Sequence, residues 1–397
     1  MHERFVITGY GTFNSIGKNV KETFLASLEI KSKTHLIKSW DPSADPAFTV
    51  FRANCCDTSD ILTEREYRHL PSLTKAAMVA TDEAVRQSNF KSNRVATIIS
   101  SIAGGNDSRE KLETDWHRGR TKSNPFNALG VSYDYTSTVI STHYKWNGPS
   151  TVMVSACASG LYSIDYGIKC IKAGDCDYAV VGGTDMMSDK YDMFFFQVLQ
   201  ALSKRNEEYI SQPFSDQRDG LVMGEGAGVF VIETMANAVA RGATILAEIK
   251  GLGFYTECEH PTSPSDAGTG ALESSRIALE RSGLDKVDFI SAHATSTVLG
   301  DIVEYEAMNK MFPDAYITGS KGHLGHTMSA SAIIESIISI EGMNNNIIPP
   351  TANFTQCSFE KELKIVKEKT ALNIDSFMKN SYGFGGKCSS IVYQKVK

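Results

Sequence analysis

Val152-Met153-Val154-Ser155-Ala156-Cys157-Ala158-Ser159-Gly160 places one cysteine among very small residues, directly after an apolar run. Beyond it, Leu161, Ile164, Ile168 and Ile171 recur at helical spacing on one side. Apolar run, small residues and helical period together predict strand, tight turn and helix. Cys157 then sits at the corner, near the positive end of the helix, where the dipole and unpaired backbone N–H groups favour a thiolate. The small neighbours leave the sulfur room for a bulky electrophile. The same local pattern also suits a small buried thiol in a structural turn, because free cysteine is among the most buried residue types. Other parts of the chain have to decide between the two.

At 397 residues the chain exceeds what one simple core covers, so two domains or two fused halves are expected. Hydrophobic content of 42% and charged content of 22% place it among ordinary globular proteins. A formal charge of −6 argues against general nucleic-acid binding. No apolar run is long enough to span a bilayer, and Arg4-Phe5-Val6-Ile7 enters a strand pattern in place of a signal peptide, so a cytoplasmic location is expected. Eight cysteines scattered over this length, without metal-site spacing, are most simply reduced thiols.

The order of elements repeats. Phe5 to Thr8 predicts a strand closed by Gly9-Tyr10-Gly11, Thr74 to Ser88 an alanine-bearing helix, and Val95 to Ile99 a buried strand. After a helical insertion over 106–148 and the Cys157 unit comes the strand Tyr178 to Val181. The chain then starts again, with a strand over Ile245 to Leu252, a helix over Gly270 to Ser282 and a strand over Val287 to Ser291. Ile317 to Gly319 and a helix over Met328 to Glu341 mirror the Cys157 unit. Gly224 to Gly228 before Val229 to Ile232 is echoed by Gly383-Phe384-Gly385-Gly386 before Ser390 to Tyr393. A duplicated α/β architecture follows, with mixed, mainly parallel sheets covered by helices and halves at 1–240 and 241–397.

In such sheets the working residues lie on loops beyond the carboxyl ends of strands. Three loops there carry chemistry: Ala292-His293-Ala294-Thr295-Ser296-Thr297, Lys321-Gly322-His323-Leu324-Gly325-His326 and Ser381-Tyr382-Gly383-Phe384-Gly385-Gly386. A cysteine and two histidines on loops of one face make a nucleophilic constellation. Each also has a structural alternative, since a lone histidine at a strand end often serves only to hold the fold. His323 and His326 could face each other as metal ligands, but no Glu or Asp completes a known pattern, so no metal is expected. Gly224 to Gly228 lacks the dinucleotide fingerprint.

The order of these motifs resembles the β-ketoacyl-(acyl carrier protein) synthases of the thiolase fold, most closely the ketoacyl synthase II type. The resemblance covers almost the whole chain, from Val6-Ile7-Thr8-Gly9 to Gly383-Phe384-Gly385-Gly386. It includes Ser155 to Gly160, Ala201 to Asn206, Pro213-Phe214, Arg218-Asp219-Gly220, His260 to Pro264 and Pro349-Pro350-Thr351.

What the resemblance implies is a layered αβαβα fold and a Cys-His-His mechanism without metal or organic cofactor. Cys157 would take an acyl group from an acyl carrier protein. His293 and His326 would hold the thioester oxygen while malonyl carrier protein loses carbon dioxide. Backbone N–H groups of Cys157 and Phe384 would form the oxyanion hole, with Phe384 also a gate. Lys321 would lie near His326 and pair with Glu335, with Glu304 nearby; a purely structural ion network is the alternative. Thr295, Thr297, Thr262 and Ser263 match positions along the phosphopantetheine arm. Arg65, Arg68, His69 and the Lys204-Arg205 pair are candidates for docking an acidic carrier. The implied assembly is a homodimer or a heterodimer with a chain-length-factor-like subunit.

Several residues depart from the family pattern. Ala294 stands for a usual glycine, Ser329-Ala330-Ser331-Ala332 replaces a Gly-Ala-Ala-Gly run, and Lys387-Cys388 replaces Thr-Asn. Met328 and His323 also differ, pointing to specialised polyketide or polyene synthesis over housekeeping elongation. The competing readings are a chain-initiating thiolase-fold acyltransferase, against which the second histidine argues, and a non-catalytic chain-length factor, against which Cys157 argues.

Overall fold

The computed structural model describes residues 3–32, 35–37, 48–53, 56, 60–63, 69–187, 189–259, 265, 267–358 and 364–396. Eleven strands form one mixed sheet: β1 (Phe5–Asn14), β2 (Val95–Ser100), β3 (Ser150–Thr151), β4 (Tyr178–Asp185), β5 (Gly226–Thr234), β6 (Ala247–Thr256), β7 (Phe289–Ser291), β8 (Tyr316–Thr318), β9 (Lys364–Ile365), β10 (Ser376–Gly383) and β11 (Lys387–Gln394). In space the first half runs β3-β2-β4-β5-β1 and the second runs β8-β7-β10-β11-β6, with β9 at the outer edge. Numbered within its own half, each set has the same order, 3-2-4-5-1. The two first strands meet antiparallel in the middle, Phe5–Ile7 against Ala247–Ile249. The outer pairs of each half are parallel and the inner pairs antiparallel.

The repeat extends to side chains. Helix α1 (Ser72–Ser88) lies on β1, and a Cβ added at Gly9 or Gly11 would stand 2.1 and 2.0 Å from the carbonyl oxygens of Ala84 and Ala80. Helix α4 (Thr269–Ser282) lies on β6 in the same way, with Gly251 and Gly253 facing the carbonyls of Ala278 and Ser274 at 2.1 and 2.0 Å. Gly9-Tyr10-Gly11 therefore does not close a strand as its composition predicts. It sits inside β1, where the missing side chains let a helix backbone touch the sheet.

The central layer consists of α2 (Ser159–Lys172) and α6 (Ser331–Asn345), which pack on each other and touch strands of both halves. With α1 outside the first half and α4 and α5 (Val298–Met311) outside the second, the layers alternate as αβαβα. Helix α6 is buried on nearly every side, from Ser331 to Ile340, as a helix between the two halves of the sheet must be. Among the described residues no helix is long and apolar enough to cross a membrane.

The turn before α2 differs from its prediction in one respect. Only Ser150 and Thr151 pair as a strand; Val152 to Val154 leave the sheet, and Val154 is exposed. Residues 106–144 carry three helices, Asn106–His117, Pro125–Gly130 and Tyr135–Tyr144, as the insertion pattern predicts.

Candidate active site

Cys157 and His326 occupy the same place in their halves, each between the third strand and the central helix. The two corners meet: His326 Nε2 stands 3.1 Å from Cys157 Sγ. His293, from the loop after β7, completes the group with its ring centroid 5.3 Å from that of His326 and nearly perpendicular to it. All three side chains are buried.

The loops that carry them are strained. Ala156, Ala294 and Met328 adopt φ of +50°, +34° and +50°, and Ser296 adopts +66°. Non-glycine residues enter this region at a cost of roughly 1–2 kcal/mol each. Hydrogen bonding holds the bends. Ser159 Oγ donates to Ala156 O at 2.5 Å and accepts from Ser155 N at 2.8 Å. Glu304, on α5, accepts the backbone N–H of His293 at 2.7 Å and of Ala294 at 2.6 Å.

Hydrogen bonds also fix the tautomers. The backbone N–H of Met328 points at His326 Nδ1, 3.2 Å away, so a neutral His326 carries its proton on Nε2 and donates toward Cys157. Lys321 Nζ lies 3.4 Å from His293 Nδ1, which turns the other nitrogen of His293 into the donor. Burial, and then the positive charge of Lys321, hold both imidazoles well below their ordinary pKa, so each is a neutral N–H donor at neutral pH.

Burial acts in the opposite sense on the sulfur. It pushes the Cys157 thiol up to about 12, and Lys321 only partly opposes it. The resting group is therefore a thiol, contrary to the expected thiolate. The N-terminus of α2 can favour the anion only as it forms.

Cys157, His293 and His326 also bring three ligand atoms within 4.8 Å, the one such cluster among the described residues. A metal would need the two Nε2 lone pairs that these tautomers replace by protons. The donor set suits an oxyanion better than a cation. The alternative pairing of His323 with His326 does not occur, because His323 Nε2 is 2.8 Å from Glu29 O.

Behind the histidines lies a buried ion network. Lys321 Nζ donates to Glu335 Oε1 at 2.7 Å and to His293 O at 2.5 Å. The other carboxylate oxygen of Glu335 pairs with Lys379, on β10. Burial alone would raise Glu335, yet the two ammoniums hold it below the usual carboxylate range. Lys379 is absent from the sequence-derived site, although a lysine in the apolar strand Phe377-Met378-Lys379 is a visible signal. Asp185 is a second residue missed; it accepts from Ser101 Oγ at 2.7 Å, from Ser329 Oγ at 2.5 Å and from Ser329 N at 2.9 Å, tying the loop after β2 to the His326 corner.

Two cavities meet at Cys157. One, of ≈130 Å³, is lined by Thr295, Thr297, Glu257, Cys388 and both catalytic-face histidines. Thr295 and Thr297 hydroxyls lie 2.9 Å apart at its wall. The other, of ≈600 Å³, is lined by Ala103, Asn106, Met187, Asp192 and Phe195. Phe196, from α3 (Lys190–Val198), and Phe384 belong to both linings, so Phe384 stands where a gate is expected. Gly383 brings its loop against the corner: a Cβ there would be 2.9 Å from Ser155 O and 3.1 Å from Cys157 N.

The remaining predicted residues are less concentrated. Arg65, Arg68, Thr262 and Ser263 lie outside the described residues. Lys204 is exposed, whereas Arg205 is turned toward Asp219, at 3.7 Å, and Glu207, at 4.0 Å. His69 stacks on Phe126 and bonds Asn124, which gives it a local structural role.

The layered duplicated fold, with Cys157 and His326 before the central helices and His293 on the loop after β7, defines a thiolase-like condensing enzyme. Family models agree: residues 2–238 match the β-ketoacyl synthase N-terminal domain and residues 246–355 its C-terminal domain. The chain belongs to the β-ketoacyl synthase family, acyltransferases that form carbon–carbon bonds. It is 33% identical over 408 residues to 3-oxoacyl-[acyl-carrier-protein] synthase 2 of Coxiella burnetii, covering 99% of each chain. It is 31% identical over 410 residues to the same-named protein of Staphylococcus aureus strain COL, covering 100% of this chain and 99% of that one. Among solved structures, the ishigamide ketosynthase/chain length factor superposes with a TM-score of 0.90 at 27% identity over the full length of both chains. A β-ketoacyl synthase from Burkholderia phymatum STM815 gives 0.90 at 28%, also over both full chains.

Proposed function

We propose that this protein is a β-ketoacyl-(acyl carrier protein) synthase that condenses a malonyl unit with an acyl chain held on Cys157. The observation that carries the residue roles is the 3.1 Å contact of His326 Nε2 with Cys157 Sγ, together with the Met328 N–H on Nδ1. That arrangement makes His326 a donor toward whatever replaces the thiol proton.

In the first step the sulfur attacks the carrier thioester, the acyl group passes to Cys157, and the Cys157 proton ends on the carrier sulfur, which leaves as a thiol. Malonyl carrier protein then enters past Thr295 and Thr297. Nε2–H groups of His293 and His326 hold its thioester oxygen while the bond to the carboxylate breaks and carbon dioxide leaves. The resulting carbanion attacks the acyl carbon on Cys157. Backbone N–H groups of Cys157 and Phe384 hold the tetrahedral oxyanion, which collapses and leaves the β-ketoacyl chain on the carrier, while the expelled Cys157 thiolate takes up a proton from water. No metal or organic cofactor is required, because decarboxylation supplies the electron pair.

An acyl carrier protein is the partner this chemistry needs, and the names of the similar enzymes from Coxiella and Staphylococcus support it. A second subunit, either another copy or a chain-length-factor-like chain, would cover the exposed Val154, Tyr191, Phe194, Phe195 and Val198 beside the larger cavity. This reading includes a cytoplasmic location. Incubation with acyl and malonyl carrier proteins, followed by intact-mass analysis, tests the function. A carrier-bound product longer by two carbons and an acyl adduct on Cys157 are expected; neither appearing would overturn the assignment.

A further inference from the structure

In the ion network behind the histidines two cations bond the same carboxylate, while a second buried carboxylate, Glu304, acts on both from further away. Glu335 offers one negative charge and holds two ammoniums, Lys321 on Oε1 and Lys379 on the other oxygen. Lys379 is fully buried. Its Nζ also donates to Ala292 O at 2.9 Å and lies 3.4 Å from Ser291 O, while Lys321 takes the next carbonyl, His293 O, at 2.5 Å. Three successive carbonyls, at the end of β7 and the start of the His293 loop, therefore rest on the two lysines. A buried ammonium is costly, so a second one on the same glutamate calls for a reason. Packing alone would be served by methionine.

We propose that Lys379 is a positioning residue for condensation: by sharing Glu335 it leaves more positive charge behind His293 and His326 than the Lys321–Glu335 pair alone would, keeps both as neutral donors, and favours the enolate in front of them. The proposal rests on the ketosynthase reading only for its last clause. The groups that face the two imidazoles are Lys321, Lys379 and Glu335 on one side, Glu304 behind the loop, and Cys157 and Tyr382 in front. Asp185 lies beyond Cys157, and Asp301 with Arg218 beyond Glu304. Positive charge from Lys379 acts on both rings in the direction that disfavours a second proton. Burial lowers Lys379 itself to about 8, which leaves it mostly charged at neutral pH.

The test compares Lys379→Met, Lys379→Arg and the double variant Lys379→Met/Glu335→Gln with the unmodified protein. Histidine-labelled NMR titration reads His293 and His326 directly, and malonyl carrier protein decarboxylation is followed against pH. In Lys379→Met the imidazole titration and the acid limb of the rate are expected to rise by roughly one pH unit. Decarboxylation near neutral pH should fall roughly tenfold, with the KM for the carrier unmoved. The double variant restores the net charge of the original network, so its titration should return toward that of the original protein, and Lys379→Arg should stay close to it. An unmoved histidine titration in Lys379→Met, or a displaced one in the double variant, overturns the proposal. Should Lys379→Met not fold, the double variant and Lys379→Arg decide by the same titration. Because NMR needs no turnover, a protein that decarboxylates nothing would defeat the ketosynthase reading and leave this result legible.

Discussion

The turn before α2 and the turn before α6 are built alike and end in opposite chemistry. Each follows the third strand of its half, bends through a residue at φ +50° and delivers one buried side chain to the same spot. At the first corner that side chain is a thiol and at the second an imidazole. Burial raises the pKa of one and lowers that of the other, so both are neutral for the same physical reason. Duplication thus supplies geometry twice, while residue type decides which corner reacts and which one donates. The asymmetry is completed by the His293 loop, held by the Glu335 network in the second half. Its counterpart after β2 in the first half is instead tied to Asp185.

Removing the nucleophile should break this comparison most completely. Cys157→Ala is expected to abolish covalent loading, checked by the mass of the protein after incubation with acyl carrier protein; normal loading would move the nucleophile elsewhere. The two histidines test the other corner. His293→Ala or His326→Ala should each slow malonyl decarboxylation by about 10²–10³, measured as carbon dioxide release, with a smaller effect on loading of Cys157. Unchanged release would remove that histidine from the site.

The smallest effect concerns His323, three residues before His326 and outside the site. Burial lowers its pKa from 6.5 to about 4. Unfolded, it takes a proton below about pH 6.5 that the folded form refuses, so its stabilising contribution is present above that pH and lost as pH falls toward 4. The loss is about 1.4 kcal/mol per pH unit over that window. His323→Leu should therefore flatten the acid limb of stability in urea unfolding, with little effect on decarboxylation near neutral pH. An equally steep limb would show that His323 does not titrate on unfolding.

Much of this was legible in residue order. Helical period after Cys157, the alanine-bearing helices and the recurrence of elements give the duplicated α/β design, because periodicity is a local property. Gly9 and Gly11 read as strand-closing but lie within β1, since composition marks a turn and a helix-contact glycine in the same way. Val152 to Val154 looked like strand because apolar runs do, although two of the three sit partly buried and Val154 is exposed. Lys379 is not legible for a different reason: a buried lysine is recognised only through its partner, and Glu335 lies 44 residues away.

The sequence by itself determined which side chains could do chemistry and that two halves carry them on equivalent loops. Tertiary structure decided what those side chains are. Only when the two corners meet at 3.1 Å does Cys157 become distinguishable from a buried structural thiol. Only burial sets it at rest as a thiol beside neutral imidazoles, and only the Met328 N–H and Lys321 fix which nitrogen donates. Protonation and direction depend on desolvation and on partners far apart in the chain, which no local pattern contains.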